Sequence, residues 1–343
     1  MTTMKTMALA ALGFALALPA QGLAASTHYS VTDLGTLGGD YSSARAINAN
    51  GVVTGISSDA GGNSKVFMYA LGHMTSPGPL SGSSAVASGI NASSDLAGYA
   101  AGGAPYRAFR YRNGRLKDIG DLGGGTATAY AINSLGNVVG SSRTGDSRDE
   151  PFLLRGGKLV DLGTLGGHDV GQWNAALGIN DSLQVTGTSW DASGNYRAFL
   201  WQNGRMSSIG TLGGSWSEGD AINAGGAITG IAYLPGDLEA HAFLWKDGTM
   251  QDLGTLLKSD GFSWGFAINS SGTVVGLSQR DLDGTYVDYA FVNEAGKMKN
   301  LNLVIPEDSG WVLNVAYGIN DSGQIVGEGT IGGKTHAFLL TPN

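Results

Sequence analysis

Residues 241–254 read HAFLWKDGTMQDLG, and this stretch decides the fold. An Asp-Gly pair separates an apolar run from a second run in which apolar and polar residues alternate. Asp-Gly between two such runs is a strong signal for a tight β-hairpin, and a period of two is typical of a strand. The stretch therefore predicts two antiparallel strands, and YRNGRL (111–116) and WQNGRM (201–206) predict similar hairpins.

The hairpin belongs to a repeat whose clearest mark is the dipeptide Ile-Asn. Seven such pairs occur, 42 to 51 residues apart. Their asparagines are Asn48, Asn91, Asn133, Asn180, Asn223, Asn269 and Asn320. Each period also holds a valine-rich segment such as GVVTGIS (51–57), so that it contains four short strands joined by turns. Four antiparallel strands in a period of this length are typical of a β-propeller blade.

The two ends of the chain complement each other. HYSVTDLG (28–35) is a fourth segment with no blade before it, and HAFLL (336–340) is a third segment that lacks its fourth. The sequence therefore predicts an all-β fold, a seven-bladed β-propeller of four-stranded blades that is closed by the N-terminal strand completing the last blade. Residues 26–343 form one domain of seven repeats in this interpretation. The phrase TLGG, as in DLGTLGG (33–39 and 161–167), then connects the outer strand of one blade with the inner strand of the next.

The segment that ends in Ile-Asn contains two positions that are always small. The residues two and four places before the asparagine are Gly or Ala in all seven copies, and the isoleucine lies on the opposite face of the strand. Inner strands of a propeller have the least room for side chains, because the blades converge there. We expect close packing at these positions.

The repeated segments resemble a known family. HAFLW, DLGTLGG, AIN and VVG together look like the HAF-repeat family of bacterial extracellular repeat proteins, over residues 28–343. The resemblance implies export and a repeat architecture, and it implies no activity. Two connections depart from the pattern, PGPLSGS at 77–83 and LNLVIPEDSG at 301–310, where altered loops are expected.

Composition limits the localisation and the partners. The chain has 343 residues, 57 of them Gly, a formal net charge of −8 and no Cys. Residues 1–25 combine Lys5, a 12-residue apolar run (7–18) and small residues before Ala24 and Ala25, which predicts a cleaved signal peptide and a secreted protein, extracellular or periplasmic. The run is shorter than the roughly 20 residues of a membrane-spanning helix, and no later segment is longer. An acidic chain without a basic stripe is a poor partner for nucleic acid. We expect a monomer that needs no cofactor.

Aromatic residues are the strongest candidates for a binding site. Five of the seven Trp fall in connections that should emerge on one face of the propeller, and Tyr41 occupies the equivalent place in the first repeat. Aromatic faces stack on sugar rings while polar neighbours bind the hydroxyl groups. The alternative is that these rings cover gaps between blades. The predicted ligand-binding residues are Tyr41, Trp173, Trp190, Trp216, Trp264, Trp311, His168 and Asp169.

Signals for catalysis and for metal binding are weaker. Glu218 and Asp220 lie two residues apart on one predicted strand, and paired carboxylates can hydrolyse glycosidic bonds. Asp281, Asp283 and Asp288 resemble part of a calcium loop but lack the glutamate that would complete one. Three functions remain open: a non-catalytic binding protein for glycans or another cell-surface component, a secreted glycan-degrading hydrolase or lyase, and a purely structural module.

Overall fold

The computed structural model describes residues 29–78, 85–100, 105–167, 170–256, 261–282 and 285–343. The first strand is β1 (Tyr29–Asp33). Groups of four strands follow, the first being β2 (Gly38–Ile47), β3 (Val53–Asp59), β4 (Ser64–Ala70) and β5 (His73–Thr75). The next are β6 (Ala85–Ile90), β7 (Leu96–Ala100), β8 (Arg107–Arg112) and β9 (Arg115–Asp118). Then come β10 (Gly123–Ile132), β11 (Val138–Thr144), β12 (Asp149–Arg155) and β13 (Lys158–Asp161). These precede β14 (Ala175–Ile179), β15 (Val185–Trp190), β16 (Tyr196–Gln202) and β17 (Arg205–Gly210). The later groups are β18 (Ser217–Ile222), β19 (Ile228–Tyr233), β20 (Ala240–Lys246) and β21 (Thr249–Asp252), and β22 (Gly261–Ile268), β23 (Val274–Leu282), β24 (Thr285–Glu294) and β25 (Lys297–Asn300). The last strands are β26 (Val312–Ile319), β27 (Ile325–Ile331) and β28 (Lys334–Pro342).

The strands form antiparallel four-stranded sheets in chain order, as the hairpin signals predicted. The groups β6–β9, β10–β13, β14–β17, β18–β21 and β22–β25 are separate sheets. β1 pairs antiparallel with β28, which places the N-terminal strand beside the C-terminal one. A single parallel contact, Tyr41 to Thr335, joins β28 to β2.

Strand is the dominant regular structure of the described residues. They contain no α-helix, and the 301–310 connection holds two short 3-10 turns, Leu301–Leu303 and Glu307–Ser309. No helix within these residues is long and apolar enough to cross a membrane.

A Phe–Gly pair fixes the centre of each sheet. The phenylalanine of every third strand is at most 1% exposed and lies opposite the glycine of the VVG-type second strand, as Phe199 lies opposite Gly187. A Cβ on that glycine would lie only 1.8 to 2.0 Å from a carbonyl oxygen of the first strand in all seven copies. Because these glycines carry no side chain, the first and second strands can approach each other closely.

The Ile-Asn asparagines join the first strands to one another. Each donates a hydrogen bond from Nδ2 to the backbone oxygen of the next asparagine, over 3.0 to 3.4 Å, and Asn320 donates to Asn48. The Oδ1 atom accepts from backbone N–H groups of its own turn, as in Asn133 with Leu135 and Asn137. The turn role was predicted from the sequence, and the cyclic series of bonds between sheets was not.

The small positions of the first strands pack as closely as expected. A Cβ on Gly178 would lie 3.1 Å from the Cα of Ala221 in the adjacent sheet, and one on Gly89 would lie 3.2 Å from the Cα of Ala131. The isoleucines pack in the apolar clusters, and Ile132, for example, packs with Val138 and Phe152. The seven isoleucines also line a cavity of about 280 Å³ at the Ile-Asn end.

A β-bulge interrupts every first strand between these two small positions, which the sequence analysis did not predict. The pairing register shifts between Ala44 and Ala46 and at the corresponding place in the other six copies. The extra residue of each bulge is partly exposed, whereas the residue before it is buried. These bulge residues are Arg45, Ser88, Tyr130, Leu177, Asp220, Phe266 and Tyr317.

Candidate ligand-binding face

One end of each sheet carries the connections that leave fourth strands and those that join second to third strands. We call this end the crossing face, and the Ile-Asn turns and the Asn-Gly or Asp-Gly hairpins lie at the opposite end. TLGG forms these crossings as predicted. Thr36 Oγ1 donates a hydrogen bond to the backbone oxygen of Gly39, and Gly38 has a φ of +108°. That backbone conformation strongly favours glycine.

A cavity of about 480 Å³ lies on the crossing face beside Trp173. Trp173 is 38% exposed and meets the Tyr130 ring edge to face, with centroids 6.4 Å apart. Arg143 and Asp149 add an ion pair to the wall, with Nε 2.9 Å from Oδ1. Exposed aromatic rings beside paired charges and hydroxyl groups suit a ligand that presents both C–H and hydroxyl groups.

A second cavity, of about 340 Å³, lies on the same face and is more apolar. Trp216, Tyr233 and Trp264 are among its lining residues. Trp216 and Tyr233 meet edge to face with centroids 5.7 Å apart, and Trp264 stacks on Phe266 at 5.2 Å. The structure therefore brings two of the predicted ligand-binding residues, Trp216 and Trp264, into one cavity.

Comparisons with known proteins give the fold. No protein-family model and no curated protein match the chain. Among solved structures, the β-propeller domain of the trilobed protease from Pyrococcus furiosus, described as having an open velcro topology, has a TM-score of 0.55 at 8% identity. That match covers 91% of this chain and 93% of the protease domain. The fold is a β-propeller.

Two further propeller matches are similarly remote in sequence. YCF48 bound to D1 peptide has a TM-score of 0.54 at 10% identity, over 93% of this chain and 96% of that one. TolB from Acinetobacter baumannii has a TM-score of 0.48 at 13% identity, and the match spans 90% of this chain and 65% of TolB. At such identities the likeness concerns the fold alone.

The predicted carboxylate pair lies on the inner strand β18, where Glu218 is buried and Asp220 is partly exposed. Glu218 is 5% exposed, and burial raises its pKa to about 7. Asp220 is the bulge residue of this blade, and its pKa is raised well above the usual range by burial and then by the charge of Glu218. Trp264 Nε1 donates to Asp220 Oδ2 over 2.7 Å. The two carboxyl groups are therefore close enough for the charge of one to affect the other.

Tyr41 belongs to a polar cluster that is formed by residues of β2, β26 and β27. Its hydroxyl donates to Glu328 Oε2 over 3.2 Å, and Tyr317 also donates to this carboxylate. The Arg45 guanidinium lies 4.0 Å from the centroid of the Tyr317 ring. Burial raises the pKa of Tyr317 to about 12. The cluster balances the Arg45 charge locally with Glu328.

Two other predicted residues pack within the propeller. Trp190 meets Tyr196 edge to face at 4.5 Å, and its ring occupies the space that a Cβ on Gly167 would need. Trp311 is 9% exposed and lies in an apolar cluster with Phe338. His168 and Asp169 lie outside the described residues. We leave these four residues out of the binding surface proposed below.

The candidate calcium residues do not form a metal site among the described residues. Asp288 accepts a hydrogen bond from Gln279 Nε2 over 2.8 Å, across the β23–β24 pair. Asp281 is part of β23, and Asp283 lies outside the described residues. No group of three or more His, Cys, Asp or Glu residues in the described ranges could hold a metal ion.

Sequence reasoning missed the contribution of the bulge residues to this face. Arg45, Tyr130, Phe266 and Tyr317 were not predicted as site residues. A signal was present, because the residue between two invariably small positions changes from Arg to Ser, Tyr, Leu, Asp, Phe and Tyr. A residue that varies between two constant positions is not required by the fold, so it is available for binding.

Proposed function

We propose that the protein is an exported, monomeric, seven-bladed propeller that binds glycans through its crossing face and does not catalyse a reaction. The observation that carries the proposal is the 480 Å³ cavity beside Trp173, where exposed aromatic rings adjoin an ion pair and hydroxyl groups. Exposed aromatic rings of this size are costly in water, so a ligand that covers them is favoured.

Three contacts support the closure of seven blades. β1 pairs with β28, His336 Nδ1 lies 2.9 Å from Asp33 Oδ2, and Asn320 donates to the backbone oxygen of Asn48. Each contact joins the start of the chain to its end. In this proposal β1 is the outer strand of the seventh blade, and no blade edge is left unpaired there.

Export is supported by the sequence of residues 1–25 and by the resemblance to the HAF-repeat family. Export is the reason to favour a cell-surface or extracellular glycan as the ligand class. Secretion is tested by mass spectrometry of the mature N-terminus, which the proposal places directly after Ala24 or Ala25.

Isothermal titration calorimetry tests the binding surface, after a glycan array has selected a ligand for the wild-type protein. Trp173→Ala removes a stacking face from a partly exposed position, so binding should weaken at least about tenfold while the fold is kept. Leu71→Ala is the matched control, because Leu71 is 98% exposed at the opposite end of the propeller. Unchanged affinity in Trp173→Ala, or equal losses in both variants, contradicts the proposed surface.

Glycan hydrolysis is the second candidate, and the Glu218–Asp220 pair favours it. A carboxyl group with a pKa near 7 can act as a general acid at neutral pH. Glu218 and Asp220 are not among the residues that line the 480 Å³ cavity, which argues against cleavage of a glycan bound there. If the wild type releases reducing ends from the array ligand and Glu218→Gln does not, the protein is an enzyme. If the wild type binds the ligand without releasing reducing ends, the non-catalytic function is supported.

A further inference from the structure

The acidic pair on β18 lacks a balancing cation. Within the described residues, Glu218 has neither a hydrogen-bond partner nor an ion-pair partner for its carboxyl group, although only 5% of the residue is exposed. Asp220 is bound by the neutral Trp264 Nε1 group. Buried carboxyl groups are normally paired, because an unpaired charge in such a place is strongly disfavoured. Glu218 therefore has an unfilled place for a hydrogen-bond donor, which a cationic ligand would supply.

The pair lies on the first strand of its sheet, within reach of residues from other blades. Asp220 is the extra residue of a bulge in an inner strand. The charge of Glu218 acts on Tyr130, which lies two blades away along the chain. Arg45 is the cation among the bulge residues, and it is already engaged with Tyr317 and Glu328.

Aromatic rings lie next to Asp220. Trp264 contacts Asp220, stacks on Phe266 and also lines the 340 Å³ cavity that contains Trp216. Carboxylates next to aromatic faces form an environment that attracts an ammonium group, through charge and through cation–π attraction. The same environment repels carboxylated or sulfated sugars.

We propose that the glycan bound by this face carries a free amino group, as in a deacetylated hexosamine, and that Glu218 and Asp220 bind its ammonium group beside Trp264 and Phe266. This inference rests on the proposed glycan-binding function and names the class of sugar. An N-acetylated sugar has no charge at this position, so it leaves the carboxyl pair without a cation.

Matched oligosaccharides test the inference by calorimetry: an oligomer of glucosamine and the same oligomer fully N-acetylated. The wild type should bind the glucosamine oligomer at least about tenfold more tightly than the N-acetylated one. This difference is what one desolvated, charge-assisted hydrogen bond contributes. Glu218→Gln and Asp220→Asn should reduce this preference to near unity, and should leave binding of the acetylated oligomer unchanged. Asp220→Asn keeps an acceptor for Trp264, so the variant should fold.

Glu239→Gln is the control, because Glu239 is a more exposed carboxylate in the β19–β20 connection of the same blade. It should keep the wild-type preference. Equal or weaker binding of the free amine by the wild type, or a preference that survives in both Glu218→Gln and Asp220→Asn, overturns the inference. If acetylated or other array glycans still bind and lose affinity in Trp173→Ala, the glycan-binding function stands without it. If no glycan binds at all, both proposals fail.

Discussion

At the scale of single residues, the glycine of each VVG-type second strand limits how the sheets pack. A Cβ on Gly187 would lie 1.9 Å from the backbone oxygen of Ala175 and 2.9 Å from the Cα of Ala176. The obstacles are backbone atoms, which cannot rotate away as a side chain could. The position therefore excludes even a methyl group.

We expect Gly187→Ala to destabilise the protein by more than the roughly 1–3 kcal/mol of ordinary overpacking, because strands β14 and β15 must separate. Chemical denaturation of the mature protein measures this change. Gly145→Ala is the control, since the only atom near its Cβ position is 3.9 Å away. Similar free energies of unfolding for the two variants would mean that the inner strands are less closely packed than described.

Glu150 is a second residue with a measurable effect, in this case on the pH dependence of stability. It occupies the place that is His or Arg in four of the other six repeats. There, His241 and Arg107 contact the aspartates of their own DLG or DIG segments, Asp252 and Asp118. Glu150 lies near Asp161, and burial together with this charge raises its pKa from 4.5 to about 7, against the opposing charge of Arg148, whose Nη1 lies 3.6 Å from Glu150 Oε1. Its Oε2 atom is buried without a hydrogen-bond partner.

The sign of the effect follows from this raised pKa. The folded state holds the Glu150 proton to higher pH than the unfolded state does, so the free energy of unfolding should fall as pH rises from about 4.5 to about 7. Glu150→Gln stays neutral, and should be more stable than the wild type at pH 8 and similar to it at pH 4. Melting temperatures across this range check the prediction, and the contributions of the same sign from Glu218 and Asp220 are common to both proteins. A variant that is less stable than the wild type at pH 8 contradicts it.

At the scale of elements, β1 is the strand on which the proposed closure depends. It pairs with β28 over five residues, and its Tyr29 N–H donates to the backbone oxygen of Val304. Tyr29 is 3% exposed in the largest apolar cluster, next to Leu340. Removing this strand would expose both the β28 edge and part of the core.

Deletion of residues 26–35 from the mature protein should therefore lower the melting temperature sharply or prevent folding. Deletion of the C-terminal Asn343, which belongs to no strand, is a mild control of similar location. Differential scanning calorimetry of the two truncated proteins makes the comparison. An unchanged melting temperature after removal of 26–35 would show that β1 does not close the ring.

The elements were predictable from the sequence to different degrees. The four-stranded sheets followed from the Asn-Gly and Asp-Gly hairpins and from the Ile-Asn period, because these are local signals repeated many times. The bulges were not predictable from alternation, since one extra residue such as Asp220 leaves the small residues on either side in place. The Asn-to-Asn hydrogen bonds were equally hidden, because they join residues 42 or more positions apart.

At the scale of the whole molecule, the sequence indicated which connections share one end of the propeller better than it indicated which aromatic rings line cavities there. Trp173, Trp216 and Trp264 line crossing-face cavities, whereas Trp311 is buried in an apolar cluster. Connection topology alone could not distinguish these cases, because a ring at the same repeat position turns inward or outward according to its neighbours. Trp311 follows the 3-10 turns of an altered crossing, and it packs against Phe338.

The proposed function has a simple consequence for the whole molecule: the two ends of the propeller differ. The crossing face has exposed aromatics and uneven charge, while the other end repeats Ile-Asn around a cavity of about 280 Å³. A ligand should therefore occupy the crossing face and leave the Ile-Asn end empty.

The most direct measurement is a crystal structure of the mature protein with the oligosaccharide that binds it most tightly in the array. The account predicts sugar density on the crossing face, with one ring against Trp173 or between Trp216 and Trp264. Density at the Ile-Asn end, or on the outer strands away from these rings, would contradict it.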